Sequence, residues 1–233
     1  MPRHTVPVTV LAAALVAALA NAATAAELPA PGLEIGARVG YAFSAGNIGA
    51  APNGSDQNLS DFVSGQWPLW LDLGYRLTPN WYLGGFFQYG FGTVNEDEQS
   101  GCRNANVSCS ASDVRAGLMG RYQFAVAGPV LPWLGLGVGY EWGSFSVHQS
   151  LIGDSDTDTS RSGFEFANVQ VGADYHLTPR VSVAPFISVS IGQYQSMSTT
   201  ATIGATTTTM DDDLAKKSLH EWILVGLRFG FMP

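Results

Sequence analysis

Charge is scarce in this chain. Only 13% of its 233 residues are charged while 46% are hydrophobic, about half the charge an ordinary soluble domain carries. Basic residues are the scarcer kind: 11 Lys and Arg stand against 19 Asp and Glu, a net charge of −8. That balance excludes the basic surface that nucleic-acid binding requires. Cysteine is limited to Cys102 and Cys109, which excludes a disulfide-dense scaffold. Past residue 26 no apolar run approaches the roughly 18 residues of a membrane helix, so nothing in the body of the chain spans a bilayer as a helix.

What is present begins with a targeting segment. Arg3 and His4 precede an apolar run from Val6 to Ala20, followed by the small-residue stretch Ala20-Asn21-Ala22-Ala23-Thr24-Ala25-Ala26. These are the charged head, hydrophobic middle and cleavage region of a secretory signal. Cleavage after Ala22, Ala25 or Ala26 fits. The expected division is a signal peptide over 1–26 and one domain over 27–233. In an exported chain the two cysteines are expected to form a disulfide, since the compartment is oxidising.

From Leu33 onward the hydrophobic period is two. Leu33, Ile35, Ala37, Val39, Tyr41 and Phe43 alternate with Glu34, Gly36, Arg38, Gly40, Ala42 and Ser44, the pattern of a strand with unlike faces. The division recurs in seven more segments: 67–77, 81–91, 113–124, 134–142, 167–176, 181–191 and 222–231. Eight strands result, an even number as barrel closure in an outer membrane requires. Three connections are tight: Leu77 to Trp81, Ala125 to Pro132 and Leu177 to Val181. Four are long and polar: Asn47 to Gln66, Thr93 to Ala111, Ser150 to Gly163, and Ser196 to Lys217. Because such barrels have short periplasmic turns and long outer loops, both termini are expected in the periplasm. Tyr75-Arg76-Leu77-Thr78-Pro79-Asn80 returns as Tyr175-His176-Leu177-Thr178-Pro179-Arg180, each time joining two strands, and a favourable hairpin turn used twice suffices to explain it.

The alternation alone does not separate a membrane barrel from a soluble one. Two features decide for the membrane. The polar face is rich in glycine, carries one or two charges per strand, and includes bulky Trp70, Phe86, Phe186 and Trp222, a mixture that suits a cramped interior. On the apolar face, aromatics are sorted by height: Tyr75, Trp81, Tyr122, Phe124, Tyr175, Phe229 and Phe231 at one rim, and Tyr41, Phe43, Trp67, Tyr89, Phe91, Tyr140 and Trp142 at the other. Paired aromatic girdles about an apolar band are what two membrane interfaces select. The fold expected is therefore all-β, a closed antiparallel eight-stranded transmembrane β-barrel of up-and-down topology, in the cell outer membrane.

The exported start, the eight alternating strands, the hairpin Tyr75–Gly85 and the aromatic-rich last strand resemble the small outer-membrane β-barrel superfamily that includes the OmpA transmembrane domain and OmpW. The resemblance implies a non-enzymatic barrel with an envelope-structural and surface-interaction role; a narrow channel for small or hydrophobic solutes is the OmpW-like alternative. Partners expected for such a protein are outer-membrane lipids and lipopolysaccharide, the periplasmic chaperones, the barrel-insertion machinery, and an external partner that the sequence does not name.

Candidate site residues fall into three groups. Glu34, Arg38, Asp72, Arg76, Asp113, Arg115, Arg121, Glu141, Asp174 and Arg228 lie on the inward face. A pore wall and a salt-bridged plug would both use such mixed charges; at eight strands the interior is about wide enough for side chains alone, so a plug is expected. In the third long connection, Asp154, Asp156, Asp158 and Glu165 take the first, third, fifth and twelfth positions of an EF-hand-like loop. Ca²⁺ there is one reading and an acidic solvated loop the other. Thr159 stands where that loop needs glycine, which favours the second, and no cofactor is otherwise expected. Finally, His148-Gln149-Ser150 resembles the His-x-Ser of outer-membrane lipid A deacylases, with Glu165 as the acid a triad needs, although Leu151 replaces that family's Asn. An ordinary loop-edge histidine is the competing and preferred reading.

Overall fold

The computed structural model describes residues 28–50, 56–126, 129–150, 155–213 and 217–233; the segment read as a signal peptide lies outside them. The described chain forms β1 (Gly32–Ala50), β2 (Asp56–Asn58), β3 (Val63–Arg76), β4 (Trp81–Val94), β5 (Val107–Gln123), β6 (Val130–Gln149), β7 (Ser155–Thr178), β8 (Val181–Ile203), β9 (Thr206–Asp213) and β10 (Leu219–Phe231). Short 3₁₀ turns at Leu59–Asp61 and Ser100–Arg103 complete it. Strands β1, β3, β4, β5, β6, β7, β8 and β10 pair in that order, all antiparallel. The ring closes where β1 meets β10, from Ile35 opposite Phe231 to Gly46 opposite His220. Closure leaves no unpaired edge along the barrel wall, the condition for backbone to cross hydrocarbon. The short β2 pairs with β1 and β9 with β8, both outside the ring.

The side chains are sorted inside out relative to a soluble core. Along β3, Trp67 is 60% and Leu71 58% exposed, whereas Trp70 is 2% and Asp72 1%. Every strand of the ring repeats this. Leucine, valine and aromatic side chains face outward in a continuous band, and polar and charged ones fill the centre, an arrangement stable only if the outer surface meets lipid. No helix among the described residues is long and apolar enough to cross a membrane; the crossing is made by strands.

The repeated hairpin has a physical cause. In the first copy, Thr78 Oγ1 accepts from the Trp81 amide at 3.0 Å; in the second, Thr178 Oγ1 accepts from the amides of Arg180 and Val181 at 3.2 and 3.0 Å. The threonine satisfies backbone donors at the start of the returning strand, and the proline fixes φ between them.

The long connections differ from the sequence expectation. Most of the third, expected as a loop over 150–163, is strand, because β6 continues to Gln149 and β7 starts at Ser155. Likewise 196–217 is largely a hairpin: β8 runs to Ile203, turns through Gly204 at φ +59°, and returns as β9. Cross-strand pairs such as Thr200–Thr209 and Thr202–Thr207, each with hydroxyls 3.1 Å apart, support it. These segments are polar but β-branched, so polarity suggested loops while backbone preference made strands. Strands β5 to β9 thus rise as a sheet past the barrel end that carries the long connections, called here the loop end; the opposite end, called the terminal end, holds the start of β1, the end of β10 and the tight turns.

Candidate functional site in the barrel interior

The inward face of the alternation brings six carboxylates, from Glu34, Asp72, Asp113, Glu141, Glu165 and Asp174, and five guanidinium groups, from Arg38, Arg76, Arg115, Arg121 and Arg228, into one buried column. Nearer the termini, Glu34 is the hub. It accepts from Arg76 Nη2 at 2.6 Å, from Arg228 Nη2 at 2.6 Å, and from Arg121. Arg228 continues to Asp72 at 3.2 Å and Asp174 at 3.6 Å. Asp72 is shared with Arg38 at 2.8 Å, and Arg38 donates to Gln170 at 2.6 Å. Gln123 ties the two sides, accepting from Arg76 at 2.6 Å and donating to Asp174 at 2.9 Å.

A second cluster lies toward the loop end. Arg115 pairs with Asp113 at 2.7 Å and Glu141 at 3.5 Å, and reaches Ser190 Oγ at 2.8 Å. Glu141 also accepts from the Tyr194 hydroxyl at 2.7 Å and from Trp222 Nε1 at 3.2 Å, and lies 3.0 Å from His220 Nε2. Tyr194 and His220 stack at 4.1 Å. Such charges tolerate burial only because each is paired and hydrogen-bonded.

Aromatic rings fill what the charges leave. Arg38 lies over Trp70 at 4.6 Å and Phe186 at 5.2 Å, and Arg121 over Tyr82 at 4.8 Å and Trp133 at 5.4 Å, distances at which a guanidinium is held by the ring face. Several of the inward glycines seat these rings. A Cβ on Gly117 would stand 2.7 Å from Phe86, one on Gly226 3.1 Å from Phe186, and one on Gly172 against Trp133. At the loop end, Ile48 and Leu59 are buried and Phe62 packs edge-on against Phe145 at 5.9 Å. The cavity beneath them measures about 40 Å³, room for about two or three water molecules.

All ten inward charges named from the sequence sit in these two clusters. Glu165, His220, Tyr194 and Trp133 complete them and were not among those ten. The metal reading meets a different geometry. Asp154 lies outside the described residues, Asp156 and Asp158 stand on a strand, and Glu165 is turned into the barrel. At about 3.3 Å per strand residue, Asp156 and Glu165 are separated by about 30 Å of extended chain, so they do not wrap one ion. Among the described residues no three potential metal ligands cluster. The triad reading fails as well: Ser150 Oγ, just past β6, donates to the Asn106 carbonyl at 3.4 Å, His148 Nδ1 on β6 lies 2.5 Å from Asp156 on β7, and Glu165 is inside the barrel. Cys102 and Cys109 are bonded, with Cα atoms 5.6 Å apart, fastening the 3₁₀ turn Ser100–Arg103 to the start of β5.

The sequence profile described as outer membrane protein beta-barrel domain matches residues 10–216. The chain belongs to that family. As a member of the outer membrane β-barrel domain family it is an integral protein of the cell outer membrane. A major outer membrane protein from Thermus thermophilus shares the fold, with a TM-score of 0.60 and 14% identity over 87% of this chain and 98% of that one. The family barrel also aligns with the outer membrane protein AlkL, at 14% identity and a TM-score of 0.49 over 91% and 96%. For OprG from Pseudomonas aeruginosa the identity is 14% and the TM-score 0.43, over 88% and 99%. No match was found among curated protein sequences.

Proposed function

We propose that this protein is a non-enzymatic, non-conducting barrel that serves the envelope structurally and presents its loop end outward as an interaction surface. The observation that carries the reading is the filled interior: two ion-pair clusters interleaved with Trp70, Trp133, Phe86 and Phe186 span the cross-section. An eight-stranded barrel has little lumen to begin with, and these side chains occupy it. The alternation of tight turns and long connections supports the orientation, with the termini toward the periplasm. The test is conductance in planar bilayers. The wild type should add no resolvable steps above the bare membrane, and a steady ohmic conductance would overturn the reading in favour of a solute channel.

A further inference from the structure

Past the loop-end aromatic girdle, the outward face of the wall turns from apolar to hydroxylated. One row across β6, β7 and β8 reads Trp142, Ser162, Ser196; the next, extended to β9, reads Ser144, Ser160, Ser198, Asp211. These small side chains leave a groove of about 490 Å³ between the Trp142 ring and Asp211, within the size range of small-ligand sites. Its floor is already a chain of hydroxyls: Tyr140 Oη lies 3.1 Å from Ser162 Oγ, which lies 2.9 Å from Ser196 Oγ. Trp142 is 46% exposed. Arg161 borders the groove, but its guanidinium lies over Phe62, on the opposite side of the sheet. The two rows beyond add Ser146, Asp158, Thr200 and Thr209, then His148, Asp156, Thr202 and Thr207, and no lysine or arginine.

That chemistry selects a class of ligand. An exposed indole offers a flat apolar face, serine hydroxyls both donate and accept, and a carboxylate accepts only. A pyranose ring presents the complement: an apolar C–H face and a rim of hydroxyl donors and acceptors. Among the described residues these four rows hold no lysine or arginine, which argues against phosphate or carboxylate as the recognised group. Position selects the source, because the groove begins where the aromatic girdle marks headgroup depth. We propose that this groove binds a neutral hexose of the glycolipid surrounding the barrel in the outer leaflet. The assignment of leaflet rests on the orientation proposed above.

The test uses full-length mature protein folded in detergent micelles. It is titrated with lipopolysaccharide bearing neutral core hexoses, with sugar-free lipid A, and with the deacylated core oligosaccharide. The whole glycolipid should bind at least tenfold more tightly than lipid A. Trp142→Ala and Asp211→Asn should each remove that difference, Trp142→Phe should keep most of it, and Trp67→Ala, in the girdle but away from the groove, should leave it intact. Equal affinity for the two lipids, or a difference that survives Trp142→Ala, overturns the site. Free oligosaccharide binding as tightly as the whole glycolipid overturns the glycolipid as the source. Labelling of Ala205→Cys by an impermeant maleimide on intact cells reports the orientation separately: labelling supports the outer leaflet, and its failure overturns the leaflet while the micelle titration still judges the groove.

Discussion

Glu34→Gln removes the charge at the hub of the larger ion cluster while keeping its shape, and the structure shows where the cost falls. Arg228 would keep Asp72 at 3.2 Å and Asp174 at 3.6 Å. Arg76 would keep Gln123 at 2.6 Å and the Pro79 carbonyl at 3.0 Å. Arg121 has no such reserve: among the described residues its Nε and Nη1 find no acceptor, and apart from Glu34 it is held by the rings of Tyr82 and Trp133. The substitution therefore strands one buried guanidinium, for which the cost of breaking a buried pair, about 3–5 kcal/mol, applies at its lower end. Urea unfolding of the barrel in detergent, followed by tryptophan fluorescence, should show a loss of about 3 kcal/mol. Arg121→Met in the Glu34→Gln background should restore part of it, with a coupling of about 1–3 kcal/mol. A loss under about 1 kcal/mol, or a double variant whose losses simply add, would refute the assignment of the cost to Arg121.

Other substitutions probe other parts of the frame. Gly172→Val places a side chain against the Trp133 ring and should cost about 1–3 kcal/mol by overpacking, read in the same unfolding assay; an unchanged midpoint would show that the interior has room to spare. Thr178→Val removes the acceptor for the Arg180 and Val181 amides and should cost about 1 kcal/mol, more than Thr78→Val, which loses the single Trp81 amide bond; the reverse order would discredit this account of the turn. Thiol labelling of the unreduced, denatured protein should find no free cysteine, because Cys102 and Cys109 are bonded, whereas stoichiometric labelling would reject the bond.

Much of this frame was legible in the sequence because a closed barrel imposes one rule on every strand. Period two with unlike faces identified the eight strands and, through charge on the Gly-rich face, ten of the residues in the ion clusters. Where the reading stopped short, it did so at strand ends judged by polarity. Trp133 lies in step with Gly135, Tyr194 with Ser190, and His220 with Trp222, so continuing the alternation by one to three residues would have placed all three inside. Glu165 is different. Opposite it, Gly137 and Gly139 face Asn168 and Glu165, so β7 carries one extra residue, and a bulge reverses the parity on which the reading depends. The same strand explains part of the Ca²⁺ pattern: Asp156-x-Asp158 is a spacing found in a cation loop and equally on one strand face, and backbone pairing, which a lone sequence does not display, chose the strand for these two.

The ion clusters also answer a question of register that the outer surface leaves open. A slip of one residue would turn every charge toward lipid and is forbidden by the alternation itself. Two residues is another matter. Along β10 the outward residues Ile223, Val225, Leu227, Phe229 and Phe231 would meet lipid about equally well after such a shift, so the apolar band barely discriminates between the registers. Inside, the shift would not be neutral. Arg228 on β10 bonds Glu34 on β1 and Asp72 on β3, and the glycines beside it, Gly36 and Gly230, leave no space for a Cβ beneath its guanidinium, at 2.9 and 2.8 Å. Moving β10 by two residues would carry Arg228 about 7 Å along the barrel, away from both carboxylates, and bring Gly226 or Gly230 to its position. The closing seam between β1 and β10 is thus keyed by a buried cation and not by the greasy surface around it, the use of buried polar groups for which specificity, more than stability, is the rationale.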